Sequence, residues 1–180
     1  MKTYIALLRG INVSGQKLIK MERLREVLSL EDFANVRTYI QSGNIIFQSQ
    51  EANEQQLETQ ISEAILKHFG FEVPVRITSL EELERIRNAN PFIDENAADP
   101  TQPYVAFLSD IPQKDKQNDF EQLVFQQDRF VFYERIIYLW YADSAANTKL
   151  TNNVIESKLK LKATSRNFKT LLKLIELAKS

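Results

Sequence analysis

The chain has 180 residues, with 23 Lys and Arg against 24 Asp and Glu and a formal net charge of −1. At 43% hydrophobic and 26% charged residues it has the makeup of a globular protein, which excludes intrinsic disorder and collagen-like structure. It has no cysteine and one histidine, His68, which excludes disulfide scaffolds, thiolate metal sites, thiol catalysis and paired-histidine chemistry within one chain. A purely carboxylate Mg²⁺ site stays open, but no metal and no cofactor is expected. The N-terminal apolar run stops at Arg9, short of a signal peptide, and no stretch approaches the roughly 20 apolar residues of a membrane span. The expectation is a cytoplasmic protein without a membrane partner.

Residues 3–9 read as a central strand, because Tyr4, Ala6 and Leu8 alternate with the equally apolar Ile5 and Leu7. A polar loop over 10–20 leads to a helix over 21–30, with apolar residues at 21, 24, 27 and 28. Residues 36–41 and 44–49 are strand-forming runs joined by Ser42-Gly43, a two-residue hairpin signal. The next helix, 57–69, ends at Gly70, and His68 in its last turn is placed where the helix dipole favours it. Pro74 puts the strand over 73–78 at a sheet edge. Ser79-Leu80-Glu81-Glu82 is a capping-box pattern opening a short helix to about residue 89. The order is β-α-β-β-α-β, the ferredoxin-like motif.

Residues 90–103 hold three of the five prolines and read as a linker. The order then repeats. A strand over 104–109 is followed by a helix from Pro112 to about 125, an aromatic hairpin over 129–134 and 136–141, and a helix over 151–161. A short closing strand over 163–166 precedes a last helix over 168–179, capped by Asn167. The expected fold class is α+β: two tandem ferredoxin-like units, each an antiparallel sheet with helices on one face. The expected domains are a first unit over 1–90, a linker over 91–103 and a second unit with the C-terminal helix over 104–180.

The net charge of −1 argues against a polyanion partner only as a total. Residues 1–25 carry six cations against Glu22 alone, a net of +5; residues 145–180 carry +6, and the middle carries −12. Both basic ends coincide with motif-bearing loops. They also read as ordinary solvated helix faces.

Three loop constellations are candidate sites. In Arg9-Gly10-Ile11-Asn12-Val13-Ser14-Gly15-Gln16-Lys17, a strand ends and a Gly-containing loop precedes a helix, so backbone N–H groups with Arg9, Asn12 and Lys17 can cradle an anion. It is neither a Walker A loop nor a Rossmann turn, and the same loop reads as a tight connection with Asn12 bonded to backbone. In the hairpin turn, Gln41, Ser42 and Asn44 flank a glycine, where amides commonly bond to the main chain. Lys149 with Arg166 and Asn167, beside the last helix, forms the third; there Asn167 serves equally as a plain cap. A fourth feature, the aromatic hairpin with Phe130, Phe132, Tyr133, Tyr138, Trp140 and Tyr141, offers rings for base stacking, although it lacks the RRM consensus and reads more simply as packed core.

LLRGINVSG, the Met21-x-x-Leu24-Arg25 helix, VRTYIQSGNIIF, Asn90-Pro91-Phe92, Tyr138-Leu139-Trp140-Tyr141 and TSRNFKTLLKL resemble, in order and spacing, a widespread bacterial domain-of-unknown-function family marked by R-G-I-N-V and Q-S-G-N. The likeness runs from about Tyr4 to Leu177 and implies a tandem ferredoxin-like fold without implying an activity. The chain departs from the family pattern at Ser14, where a Gly is usual, and at Phe168, where a Trp is usual. It also departs at Asn147-Thr148, where Arg-Ser is usual and a positive charge is therefore missing.

Three functions compete. The first is a binding module for an anionic small molecule or nucleotide, using Arg9, Asn12, Lys17, Gln41, Ser42, Asn44, Lys149, Arg166 and Asn167. The second is single-stranded nucleic-acid binding on the aromatic sheet, and the third a structural protein that pairs as a homo-oligomer. No recognisable catalytic constellation supports an enzyme.

Overall fold

The computed structural model describes residues 1–93 and 102–180; the expected linker falls largely on 94–101, outside the described residues. Two compact units are present: residues 1–85 together with 173–180, and residues 86–172.

In the first unit, β1 (Lys2–Leu8), α1 (Met21–Leu30), β2 (Ala34–Tyr39), β3 (Asn44–Ser49), α2 (Glu54–Phe69) and β4 (Val75–Ser79) follow the ferredoxin-like order, with α3 (Leu80–Asn88) beginning directly after β4. The sheet is antiparallel in the order β2-β3-β1-β4. The Tyr4, Ala6 and Leu8 face of β1 packs with Leu24, Val27 and Leu28 of α1 and with Leu57, Ile61 and Ile65 of α2. These are the apolar positions of two amphipathic helices. Ile5, Leu7 and Ile46, on the other face, are buried as well. Polar bonds tie residues 173–180 to the rest of this unit. Arg37 on β2 donates to the Leu177 carbonyl at 2.7 Å, and Lys179 pairs with Glu84 at 2.6 Å.

Local chemistry sets the boundaries. Asn53 caps α2 by accepting from the N–H groups of Gln55 and Gln56, and Gly70 takes the left-handed position (φ +80°) that ends it. His68 lies in the last turn of α2. β4 starts after Pro74 and is an edge strand, as expected. Ser79 Oγ accepts from Glu82 N at 3.2 Å, the first half of a capping box. The Glu82 carboxylate turns away instead, accepting from Thr78 Oγ1 at 2.8 Å and facing Arg76 at 3.9 Å.

The second unit repeats the plan with β5 (Tyr104–Leu108), α4 (Lys114–Glu121), β6 (Arg129–Tyr133), β7 (Ile136–Trp140), α5 (Asn152–Leu159) and β8 (Ala163–Asn167), in sheet order β6-β7-β5-β8, and α6 (Phe168–Lys179) begins in it, its residues from 173 on being counted with the first unit. The repeat extends to single hydrogen bonds. Leu8 N donates to Gly43 O at 2.8 Å and Arg9 N to Pro74 O at 3.0 Å; in the second unit Leu108 N donates to Arg135 O at 2.9 Å and Ser109 N to Lys162 O at 3.0 Å. Asn167 Oδ1 accepts from Thr170 N at 2.8 Å and caps α6, as Ser79 caps α3. α4 is shorter than expected: Pro112 precedes it, and the chain leaves the helix after Glu121 so that Phe125 can join Phe120, Phe130 and Phe132 in one aromatic cluster.

Tyr141, buried in the second core beside Tyr104, has its hydroxyl pushed well above the usual phenol range, first by burial, then by Tyr104 and Asp128. A raised folded-state value leaves stability untouched below the unfolded phenol value of about 10 and withdraws it as pH rises past that point. Tyr141→Phe is therefore expected to flatten the stability loss between about pH 9 and pH 11, read by chemical denaturation at a series of pH values. An unchanged slope would remove Tyr141 as its source.

Candidate functional site

One end of the first unit gathers most of the polar motif residues. The end of β1, the β2–β3 turn and the approach to β4 meet there, joined by the Leu8–Gly43 and Arg9–Pro74 main-chain bonds. The corresponding end of the second unit has the same frame but only a short connection after β5 and a two-residue turn, Glu134-Arg135. The first unit adds two things to this frame: a finger over residues 10–20 and a four-residue turn, Ile40–Gly43.

The finger is a small hairpin. Gln16 N donates to Val13 O at 2.9 Å, Asn12 N donates to Lys17 O at 3.2 Å, and Val13 bridges Gln16. Its tip, Ser14 (φ +49°) and Gly15 (φ +75°), has the paired positive φ values of a type I′ turn. Asn12 fastens the base: its Nδ2 donates to Ile19 O at 3.0 Å and to Gln41 O at 2.8 Å, and its Oδ1 accepts from Ile19 N at 2.8 Å. Lys17 Nζ donates to Glu72 O at 2.6 Å.

The hairpin turn is two residues longer than Ser42-Gly43, because Tyr39 pairs with Asn44. Ile40 adopts φ +50°, a left-handed conformation costly for a β-branched side chain, and Gly43 adopts φ +80°. Asn44 is fully buried and donates to Tyr39 O at 2.9 Å and Ser42 Oγ at 3.1 Å, which closes the turn.

Asn12, Asn44, Ser42 and Lys17 thus spend side-chain groups on building the loops. What faces solvent between the loops is an open cleft of about 570 Å³ whose lining includes Asn12, Lys20, Met21, Arg25 and Gln41. The start of α1 lies in it. Lys20 is the N-terminal flanking residue and makes no side-chain capping bond. The first intrahelical bond runs from Leu24 N to Lys20 O, so the N–H groups of Met21, Glu22 and Arg23 have no intrahelical acceptor. Arg25 reaches across to donate to Thr38 Oγ1 at 2.6 Å. Lys20 was visible in the sequence only as part of the +5 charge of residues 1–25, and Arg25 as part of that charge and of the Met21-x-x-Leu24-Arg25 motif; the open start of α1 is signalled by the lack of a Ser, Thr, Asp or Asn at position 20. A roomier cavity of about 840 Å³ in the same unit is lined by Glu31, Asp32 and Glu51, and its acidity suits no anion.

The third constellation lies in the second unit. Ser165 Oγ donates to Asn152 Oδ1 at 2.5 Å, which puts the start of α5, and Lys149 just before it, at the same end as Arg166. That is the Tyr104 end of β5, not the equivalent of the finger end. Arg166 is buried and donates to Ser165 O at 2.9 Å, Asn167 caps α6, and Lys149 is exposed. Thr148, one of the departures from the family pattern, donates to Asp128 and accepts from Leu150 N at 2.9 Å.

The aromatic rings of the second sheet are engaged in packing. Phe130 and Phe132 pack edge-on against Phe120. Tyr138 is 1% exposed and donates its hydroxyl proton to Ile86 O at 3.0 Å. Trp140 packs against Phe92, and the Arg129 guanidinium lies over both rings. Among the described residues no group of three or more His, Cys, Asp or Glu side chains is arranged to hold a metal ion, and no helix is long and apolar enough to cross a membrane.

A family model described as a protein of unknown function, DUF1697, matches residues 1–138. Among solved structures, the chain is similar to the conserved bacterial protein SP0830 from Streptococcus pneumoniae, with 26% sequence identity and a TM-score of 0.73 over 98% of each chain. No curated protein matches it.

Proposed function

We propose, from the premise that the chain belongs to the DUF1697 family of proteins of unknown function, that it is a binding module for an anionic small molecule or nucleotide and that the first unit carries the site. The observation that supports this is the uncapped start of α1 in a cleft lined by Lys20, Arg25 and Gln41. Unspent N–H groups and the positive end of the helix dipole favour an anion there. Lys20 and Arg25 add charge, and Gln41 adds amide donors. Glu22 lines the same cleft and offsets part of that charge, so the main-chain N–H groups carry much of the affinity. Asn12 and Asn44 act as positioning residues, and Arg9 serves through its main-chain tie to Pro74. In this reading Lys149, Arg166 and Asn167 are not required.

A panel of inorganic phosphate, nucleoside monophosphates and nucleoside triphosphates, read by thermal shift, tests it. A ligand at a hundred times its Kd adds about 2.7 kcal/mol, or roughly 5–10 °C for a chain of this size. The double variant Lys20→Ala/Arg25→Ala is expected to lose more than half of that shift while its unliganded stability changes by less than about 1 kcal/mol. A melting temperature unmoved by every member of the panel sinks the reading.

A further inference from the structure

We propose that the open edge of the second sheet, strand β6, is a pairing surface for a second copy of this chain. The two sheets have four edges, and three of them are blunted. β2 carries a bulge between Ala34 and Arg37, with Asn35 at φ +53°, which breaks a regular ladder. On β4 the outward N–H of Ile77 is taken by the Glu58 carboxylate at 2.9 Å. On β8 the outward N–H of Ala163 is taken by the Glu156 carboxylate at 2.9 Å. Such devices keep natural edges from pairing with other chains.

β6 has none of them among the described residues. Its five residues run in unbroken register against β7, from Arg129 opposite Trp140 to Tyr133 opposite Ile136. Which groups point outward follows from one bond. Leu108 N donates to Arg135 O, so Arg135 turns its main chain toward β5. By alternation Ile136, Tyr138 and Trp140 turn theirs toward β6, where Tyr133, Val131 and Arg129 answer them. The N–H and C=O groups of Phe130 and Phe132 therefore point away from β7. Between them Val131 stands 42% exposed on the face away from the Phe120 cluster.

The second copy is favoured because the strand is complementary to itself. An antiparallel pair centred on Val131 sets Phe130 opposite Phe132 of the other copy, twice, so the four outward N–H and C=O groups of each strand satisfy one another. It sets Val131 against Val131, closing the apolar patch, and Arg129 opposite Tyr133, with no like charges opposed within the strand. Asp128, held by Ala142 N at 2.8 Å, and Glu134, in the turn at φ +50°, lie just outside the paired segment. The result is a continuous eight-stranded sheet across a two-fold axis. Five residues a side bury far less than the roughly 1,200 Å² of a stable interface, so the dimer is concentration-dependent.

The absence of cysteine makes the test clean. In the proposed register the two Val131 residues form a non-hydrogen-bonded pair, with Cα atoms about 4.5 Å apart, inside the range that a disulfide spans. The full chain carrying Val131→Cys is expected to cross-link under oxidised glutathione at least roughly tenfold faster than the chain carrying Val124→Cys, since pairing raises the local thiol concentration. Val124 is 88% exposed but lies outside the strand. Sedimentation velocity of the unmodified chain is expected to show a dimer growing with concentration and lost in Val131→Lys, whose circular dichroism is unchanged. Equal cross-linking at both positions, no cross-linking at either, or a monomer at every concentration overturns the proposal.

Discussion

Replacing Arg76 by methionine is expected to destabilise the first unit by about 3 kcal/mol, the lower end of the range for removing one partner of a buried ion pair. The Arg76 side chain is only 7% exposed, and three carboxylates surround it: Glu58 at 2.9 Å, Glu54 at 3.4 Å and Glu82 at 3.9 Å. They come from the start of α2 and the start of α3, so one guanidinium pins both helices to the edge strand β4. Glu58 bonds at the same time to Ile77 N. Without Arg76, three carboxylates share a half-buried site that has lost the guanidinium they surround. The arginine fork matters as well as its charge, because it reaches Glu58 and Glu82 from two different nitrogens. Arg76→Lys should therefore fall between the native chain and Arg76→Met. Urea denaturation at neutral pH measures it; a loss below about 1 kcal/mol would mean that water screens the cluster as it screens a surface pair.

Gly43→Ala is expected to cost about 2–5 kcal/mol, from two causes that add. The left-handed φ of +80° costs an L-residue roughly 1–2 kcal/mol. A Cβ at this position would also sit 2.7 Å from Leu8 Cβ and from Ile11 Cδ1, and overpacking of this kind typically costs about 1–3 kcal/mol. Ile11 can swing its terminal carbon aside; Leu8 Cβ is fixed to the strand backbone. The clash would also lengthen the Leu8–Gly43 bond and shift Gln41, which Asn12 holds through its carbonyl. Gly43→Ala should therefore weaken anion binding as well as lower the melting temperature. Gly15→Ala, where nothing lies within 4 Å of the added carbon, should show only the backbone part of the cost.

The architecture was largely legible because each element carries its own signal. The apolar spacing of α1 and α6 gave their observed ends, Gly70 marked the end of α2, and Pro74 marked the edge strand, whereas α2 starts at Glu54, three residues before the expected 57, because Asn53 caps a polar first turn that carries no apolar signal. The β2–β3 turn was not legible. Its length depends on Ile40 taking a left-handed conformation, which tertiary context imposes against the preference of a β-branched residue. The end of α4 was hidden for a similar reason, since Phe125 leaves the helical pattern to complete an aromatic cluster.

The candidate site was legible in location more than in detail. The polar loops Arg9–Lys17 and Gln41–Asn44 do converge within the first unit, yet amides that looked like ligands turn out to hold main-chain groups. A sequence shows that an amide sits in a loop but not which way it faces. Lys20 belongs to no motif and Arg25 to one that names no role, and only the folded cleft sets them beside the open end of α1.

Titrating the ¹⁵N-labelled full chain with inorganic phosphate and following its amide resonances reads out an anion site at the start of α1 residue by residue. Saturable shifts led by the N–H groups of Met21, Glu22 and Arg23, and reduced in Lys20→Ala/Arg25→Ala, are expected. Shifts confined to the Lys149 and Arg166 end of the second unit, or no saturable shift at all, would contradict it.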